Sequence, residues 1–173
     1  EHLAGLVGPG DALPSAHEVG ALLGEDELTV LVLNALEEDL HLVAGLRTAV
    51  EEQGFVVEFQ PVVDLADGRV MSAEALVRWR TADGRLLPPD QFIPIAEEIG
   101  MIADLSECVI RQALSDAKTW DPELTLSVNI SPVQLRDPWF AQKLLKMLVE
   151  ANFPPNRLEI EITESCMLEN VGL

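Results

Sequence analysis

Hydrophobic residues recur along the chain with two different periods, and the change falls near residue 55. Between residues 35 and 53 apolar side chains return every three or four positions, with charged residues mostly on the other side, which is typical of an amphipathic helix. From residue 55 onward, short segments of alternating apolar and polar residues are interspersed with longer segments of helical spacing. Strands that alternate with helices predict a mainly parallel sheet with right-handed crossovers.

Glycine, proline and aspartate residues mark where these elements begin and end. Strands are predicted over residues 55–63, 70–79, 124–130 and 157–163, and helices over residues 88–99, 102–120 and 137–151. Asp67 and Gly68 form a turn between the first two strands, which are therefore expected to pair as a hairpin. Asp90 and Asp137 are predicted to cap the helices that follow them.

Each of the four predicted strands has one apolar face and one polar face, because side chains alternate along a strand. In the second strand, Glu74 and Arg78 share the polar face of an otherwise apolar segment, and burying either charge alone would be costly. An open parallel sheet covered by helices on both sides would instead have apolar strands. A closed barrel, with its apolar faces against outer helices and a polar interior, explains the pattern.

Four polar residues are predicted to lie near the ends of their strands, where barrel active sites are found: Gln60, Glu74, Asn129 and Glu161. Two carboxylates and an amide oxygen are hard ligands that suit Mg²⁺ or Mn²⁺. The histidines all precede this region and are not expected to be ligands. With Arg78 to hold a phosphoryl oxygen and a metal to activate water, the residues indicate a metal-dependent phosphoester hydrolase.

Composition and charge narrow the classes of partner. The 173 residues are enough for one domain or most of one, and 30 acidic against 11 basic residues give a net charge of −19. Such a chain is not expected to bind a nucleic acid polymer through a broad basic surface. There is no run of eighteen apolar residues, so we expect a cytoplasmic location, although an upstream segment of a longer protein could be a membrane anchor. Cys108 and Cys166 are expected to be reduced.

Five segments of the sequence resemble the motifs of the EAL domain family, in the family order and with plausible spacings. They are Phe59-Gln60-Pro61, Ala73-Glu74-Ala75-Leu76-Val77-Arg78-Trp79, Phe92-Ile93-Pro94-Ile95-Ala96-Glu97, Ser127-Val128-Asn129-Ile130-Ser131 and Glu159-Ile160-Glu161-Ile162-Thr163-Glu164. The resemblance covers about residues 55–170. It implies a TIM-like (β/α)8 barrel that hydrolyses cyclic di-GMP to linear pGpG with Mg²⁺ or Mn²⁺ and is inhibited by Ca²⁺.

The resemblance also implies roles for individual residues. Glu74, Asn129 and Glu161 match metal ligands, and Glu74, Glu161 and Glu164 are expected to be catalytic. Glu164 matches a glutamate that steadies a later catalytic loop and couples the two halves of a dimer, so a homodimer is expected. The positions that match substrate contacts are Gln60, Leu76 and Arg78.

The sequence departs from the family after its fifth motif. The family's Asp-Asp-Phe-Gly loop and its lysine strand are absent from the 173 residues, and a barrel of this type needs ~250 residues. We therefore expect residues 55–173 to be the N-terminal part of an EAL domain and these 173 residues alone to be inactive. Residues 35–54 are predicted to be a linker helix and residues 1–34 an irregular leader.

Several alternatives stay open at this stage. Gly24-Glu25-Asp26-Glu27-Leu28 resembles a degenerate GGDEF motif, the cyclase signature often found before an EAL domain, but an acidic turn before a strand is the simpler and favoured explanation. An upstream sensor or GGDEF domain is possible in a longer protein. Glu74 and Arg78 could form a buried ion pair, Asn129 could cap the turn that follows it, and Glu159 and Glu161 could be solvated on an edge strand. A non-catalytic cyclic di-GMP receptor or a dimerisation module is the alternative function.

Overall fold

The computed structural model of the protein describes residues 41–162, which fold as an α/β unit around one sheet. The strands are β1 (Phe55–Val63), β2 (Val70–Arg80), β3 (Leu86–Leu87), β4 (Thr125–Ile130) and β5 (Leu158–Ile162). The helices are α1 (residues 41–51), α2 (Ile93–Glu98), α3 (Ile102–Ala117) and α4 (Phe140–Ala151). Short 3₁₀ turns span Pro89–Gln91, Gln134–Arg136 and Pro155–Arg157. No helix in this part of the chain is long and apolar enough to cross a bilayer.

The strands lie in the order β1-β2-β4-β5, with β3 attached to β2. Strands β2, β4 and β5 are parallel, which confirms the expected parallel sheet, and β1 is antiparallel to β2. The predicted hairpin between β1 and β2 is therefore correct. Its turn is stabilised by two aspartates, since Asp64 Oδ1 accepts the Ala66 N–H at 2.7 Å and Asp67 Oδ1 accepts the Arg69 N–H at 2.9 Å. Gly68 completes the turn with φ +73°.

The apolar face of the sheet packs against α3 and α4, as the alternation of residues predicts. Leu126, Val128 and Ile130 of β4 are almost fully buried there, with 0%, 1% and 2% of their surface exposed. Their neighbours in the same core include Leu114 of α3 and Leu148 of α4. Burial of these side chains is the main source of stability for the sheet and fixes which strand face is left for polar residues.

Helix α1 approaches the sheet closely through Gly45. A Cβ atom at this position would lie 2.9 Å from the Trp79 ring, closer than side chains normally approach. Trp79 is only 3% exposed and packs edge-on against Phe92, with 5.9 Å between the ring centroids. The small residue at position 45 therefore lets α1 cover the end of β2.

The predicted helix over residues 88–99 is wrong in its first half. The chain forms the short strand β3, then a 3₁₀ turn, and α2 begins only at Ile93. Pro88 has ψ 158°, because a following proline disfavours helical backbone. Asp90 makes no capping hydrogen bond, whereas Pro94 occupies the first turn of α2, where a missing N–H costs nothing.

Other boundaries differ by a few residues. The helix predicted to reach residue 120 ends at Ala117, and the one predicted from residue 137 begins at Phe140. Asp137 accepts the Trp139 N–H in the turn before that helix, so it caps the turn. The predicted helix at residues 35–53 is confirmed from residue 41, and its first residues lie outside the described range. So do residues 1–34, with the GGDEF-like segment.

Arg157 is buried, although the sequence pattern placed it at the start of a strand. Its guanidinium donates from Nε to the Leu124 carbonyl at 2.8 Å and from Nη2 to the Asp121 carbonyl at 3.0 Å. It also lies 5.0 Å from the centre of the Phe153 ring. Arg157 thereby ties the start of β5 to the loop that precedes β4.

Replacing Arg157 by lysine should lower the free energy of unfolding by about 1–3 kcal/mol, since an ammonium cannot satisfy both buried carbonyls. Urea unfolding measures the difference. Arg85→Lys is the control, because Arg85 is exposed and pairs only locally with Asp83. An equal loss of unfolding free energy in the two variants would show that the hydrogen bonds of the buried Arg157 guanidinium do not stabilise the fold more than those of an exposed arginine.

Asp137 makes a pH-dependent contribution to the stability of the fold. Hydrogen bonds from the Lys143 ammonium at 2.8 Å and from the Trp139 N–H hold the pKa of Asp137 below its ordinary value of 3.8. The ionised form therefore stabilises the folded protein above pH 3.8, and this contribution is lost as the pH falls through the lowered pKa.

We expect Asp137→Asn to lower the urea midpoint at pH 7 and the difference from the natural protein to vanish as the pH falls below 3.8. Lys143→Gln should give the same loss at pH 7, and the double variant little more than either. A difference between Asp137→Asn and the natural protein that stays constant with pH would contradict this role.

Candidate functional site

The polar faces of four strands are brought onto one side of the sheet by their register. Glu74 of β2 pairs with Gln60 of β1 and with Ser127 of β4, and Asn129 of β4 pairs with Glu161 of β5. Because residues two apart along a strand share a face, the polar set continues along each strand. It comprises Glu58 and Gln60, Glu74, Leu76 and Arg78, Ser127 and Asn129, and Glu159 and Glu161.

The closest contact among the candidate metal ligands joins Glu74 and Asn129. The Asn129 amide donates from Nδ2 to Glu74 Oε1 at 2.7 Å. Glu74 is half-buried and Asn129 is exposed. With its NH₂ group engaged in this bond, Asn129 keeps its carbonyl oxygen Oδ1 as an acceptor. The Asn129 side chain forms its hydrogen bond across the sheet with Glu74 and does not cap the following turn, as the alternative had it.

The prediction that all four residues lie at strand ends is only half right. Asn129 and Glu161 are the last residues but one of β4 and β5. Glu74 lies inside β2, which continues to Arg80, and Gln60 lies inside the antiparallel strand β1. The reason is that β2 pairs with β4 only from Ser72 to Ala75 and then continues with β1 and β3.

Arg78 does not pair with Glu74, contrary to the ion-pair alternative. Its Nε lies 3.0 Å from Glu58 Oε2 on the neighbouring strand, and Nη1 donates to the Val77 carbonyl at 2.9 Å. The Arg78 side chain is 24% exposed. The guanidinium is therefore held in place on the polar face, and it stays accessible there.

Glu159, for which the sequence motifs imply no role, accepts hydrogen bonds from a network of hydroxyl groups. Ser127 Oγ donates to Glu159 Oε2 at 3.2 Å and Thr125 Oγ1 donates to Glu159 Oε1 at 3.4 Å. Ser72 Oγ lies 3.3 Å from Ser127 Oγ. The alternation of Thr125, Ser127 and Asn129 with apolar residues in β4 already indicated a row of polar side chains beside Glu159. Glu159 is exposed, as an edge-strand residue would be.

The oxygen atoms of the side chains on this face are of the type that hard divalent cations bind. Two carboxylates and one amide oxygen stand on adjacent strands, and Glu74 is already oriented by Asn129. Among residues 41–162, however, no three His, Cys, Asp or Glu side chains gather into a cluster able to hold a metal. Since Mg²⁺ takes about six oxygen ligands, these three residues would provide only part of a coordination shell.

A cavity of about 650 Å³ opens beside this face but belongs to the other side of the sheet. It lies where β2 and β4 separate and is lined mainly by apolar residues of the two strands and of α2 and α3. Leu76 and Asn129 reach its lining, whereas Glu74 and Glu161 do not. The cavity therefore meets the polar face at Asn129 and Leu76.

Two sequence-predicted residues cannot be placed. Glu164 and Cys166 lie outside the described residues. Cys108 is a free thiol, half-buried on α3, and burial raises its pKa.

A family model for the EAL domain matches residues 43–171, more than half of the chain. The match begins inside α1, so it includes most of the described part of the predicted linker helix. A signaling protein from Caulobacter vibrioides is 38% identical over 137 residues, which is 79% of this chain and 17% of that protein. The cyclic di-GMP phosphodiesterase PdeR of Escherichia coli is 39% identical over 136 residues, 77% of this chain and 20% of the relative.

Solved structures agree with the fold. The PaMucR phosphodiesterase in complex with c-di-GMP aligns with a TM-score of 0.71 at 29% identity, over 76% of this chain and 55% of that one. The FimX EAL domain of Pseudomonas aeruginosa bound to c-di-GMP aligns with a TM-score of 0.68 at 28% identity, over 75% and 53%. The chain thus spans about a fifth of these curated relatives and about half of these structures.

Proposed function

Because this chain belongs to the EAL domain family, we propose that the protein containing it hydrolyses cyclic di-GMP to linear pGpG with Mg²⁺ or Mn²⁺. The observation that carries the proposal is the bond from the Asn129 amide to the Glu74 carboxylate, on the face that Glu161 shares. It places two side chains with oxygen donors next to each other, and metal-dependent phosphoester hydrolysis needs such donors. The relatives named as cyclic di-GMP phosphodiesterases support the substrate.

Each polar residue has a distinct part in this proposal. Glu74, Asn129 and Glu161 would hold the cation, which when bound neutralises charge on the phosphoryl oxygens and activates the attacking water. The Asn129 NH₂ group keeps the Glu74 carboxylate from rotating. Arg78 would bind a non-bridging phosphate oxygen, and Gln60 and Leu76 would contact the rest of the substrate.

Arg78 is oriented before substrate arrives. Its bond to Glu58 fixes the guanidinium on the polar face, and a cyclic dinucleotide phosphate would bring a second anionic partner to its remaining N–H groups. Fixing the side chain in advance reduces the conformational entropy lost on binding. Glu58 is therefore an orienting residue for Arg78 in the proposed site.

Other parts of the proposal concern the larger protein. We propose a homodimer, an upstream sensor or GGDEF domain, inhibition by Ca²⁺, a cytoplasmic location, and Glu164 as the residue that steadies a catalytic loop. The 173 residues alone are proposed to be inactive, because their described part supplies an incomplete set of metal ligands. That same shortage favours the second candidate, a non-catalytic cyclic di-GMP receptor or dimerisation module.

Glu74→Gln should reduce Mg²⁺-dependent conversion of cyclic di-GMP to pGpG by the full-length protein about 100-fold or more, because a metal supplies several kcal/mol of transition-state stabilisation. Chromatography of the nucleotide products measures the rate. Glu123→Gln is the matched control, since Glu123 is exposed and pairs with Arg69 through a long contact of 3.6 Å. Equal turnover by Glu74→Gln and the natural protein would exclude Glu74 as a ligand. Binding of cyclic di-GMP without any turnover by the natural protein would favour the receptor.

Arg78→Lys should weaken cyclic di-GMP binding about tenfold or more, because lysine keeps the charge but loses the planar fork that grips phosphate. Calorimetric titration with Ca²⁺ present, to suppress turnover, measures the dissociation constant. Arg111→Lys is the control, since Arg111 makes its ion pairs on the helices with Glu107 and Glu150. An unchanged dissociation constant in Arg78→Lys would show that Arg78 does not bind the substrate phosphate.

A further inference from the structure

The backbone ladder that holds Asn129 stops on one side just before it. The last pair between β2 and β4 is Ala75 with Val128, whereas β5 remains paired with β4 through Ile130. On its β2 side, Asn129 therefore lies beyond the end of the sheet pairing. Yet its amide must reach Glu74 on β2, to which it donates at 2.7 Å. The β5 ladder holds the backbone of Asn129 on one side, so on the β2 side its position depends on contacts beyond the end of the pairing.

A hydrogen-bonded cluster of four residues meets the chain two positions after Asn129, and we call it the loop clamp: Glu97 of α2, Ser106 of α3, and Ser131 and Gln134 of the loop after β4. Ser131 Oγ donates to Glu97 Oε1 at 2.6 Å. Gln134 Oε1 accepts the Ser131 N–H at 3.2 Å and the Ser106 hydroxyl at 2.9 Å. Ser131 is thus held through both its side chain and its backbone.

Two residues of the loop clamp are buried, whereas Glu97 and Ser131 are half-buried and line the cavity. Gln134 is 6% exposed and Ser106 7% exposed, and each makes its bond inside the cluster. The Gln134 N–H returns to the Ser131 carbonyl at 3.0 Å, and Val133 N–H donates to Ser131 Oγ at 3.2 Å. Ser131 and Gln134 have the spacing of a capping box, and the Gln134 side chain accepts the Ser131 N–H as in that motif, whereas Ser131 Oγ accepts from Val133. Shielded hydrogen bonds of this kind are costly to break.

We propose that the loop clamp is a positioning device for the cation site: by fixing Ser131 to α2 and α3, it holds the end of β4 and so keeps the Asn129 amide against Glu74. Ile130, the residue between them, is 2% exposed and packed in the core. The backbone from Ser131 to Asn129 therefore has little freedom to move. None of the clamp residues belongs to the polar face itself. This role rests on the proposed function, because it presupposes that Asn129 is a cation ligand.

The test is binding of Mn²⁺ alone to the full-length protein, followed by the electron paramagnetic resonance signal of the free ion. Ser131→Ala should weaken Mn²⁺ binding about tenfold, the lower end of the loss seen when a partner of a metal ligand is removed. Ser131→Thr keeps the hydroxyl, and its added methyl group can enter the cavity that Ser131 lines. It should restore binding to near the natural value.

A double variant separates positioning from a direct effect. In the Asn129→Ala background, Ser131→Ala should have no further effect on Mn²⁺ binding, because the two residues act through one ligand. Leu114→Val is the control for general loss of packing, since Leu114 is fully buried in the core and distant in sequence from the site. It should lower the midpoint of thermal unfolding and leave Mn²⁺ affinity unchanged.

The outcomes distinguish the two proposals. Full Mn²⁺ affinity in Ser131→Ala, or an equal loss with and without Asn129, would overturn the positioning role while leaving the cation site intact. Failure of Ser131→Thr to restore binding would also overturn it. Full affinity in Asn129→Ala would exclude Asn129 as a ligand, and the role of the loop clamp with it, whereas absence of Mn²⁺ binding by the natural protein would contradict the cation site.

Discussion

The bond from the Asn129 amide to the Glu74 carboxylate is the interaction on which the candidate site depends. It joins two parallel strands at the place where their backbone pairing ends, so it brings together side chains that the ladder alone would leave apart. A half-buried carboxylate also needs such a partner, since burying it without one is costly.

One face of the sheet carries the core, and the other carries the candidate site. Residues such as Leu126 and Val128 are buried against α3 and α4, and any slip of register by one residue would turn them to the polar side. The same register sets Asn129 beside Glu161 and Glu74 beside Ser127. Core packing on one face therefore determines which oxygen atoms meet on the other. The loop clamp extends this coupling from the helices to the end of β4.

Period-two alternation was enough to predict the strands, their apolar faces and the polar set that includes Glu74 and Asn129. It could not predict partners across strands, because these depend on register and on where each ladder stops. The pairing of Arg78 with Glu58 rather than Glu74 is one result of this, and the position of Glu74 inside β2 is another. The burial of Arg157 was missed for a different reason: its partners are loop carbonyls, which carry no side-chain signal.

The most direct test of the cation site is anomalous diffraction from crystals of the full-length protein grown with Mn²⁺. The expected result is a manganese peak about 2.0–2.3 Å from side-chain oxygens of Glu74, Asn129 and Glu161, the range in which hard divalent cations take oxygen ligands. A manganese peak away from these three residues, or an Asn129 side chain turned from Glu74 in the metal-bound protein, would contradict it.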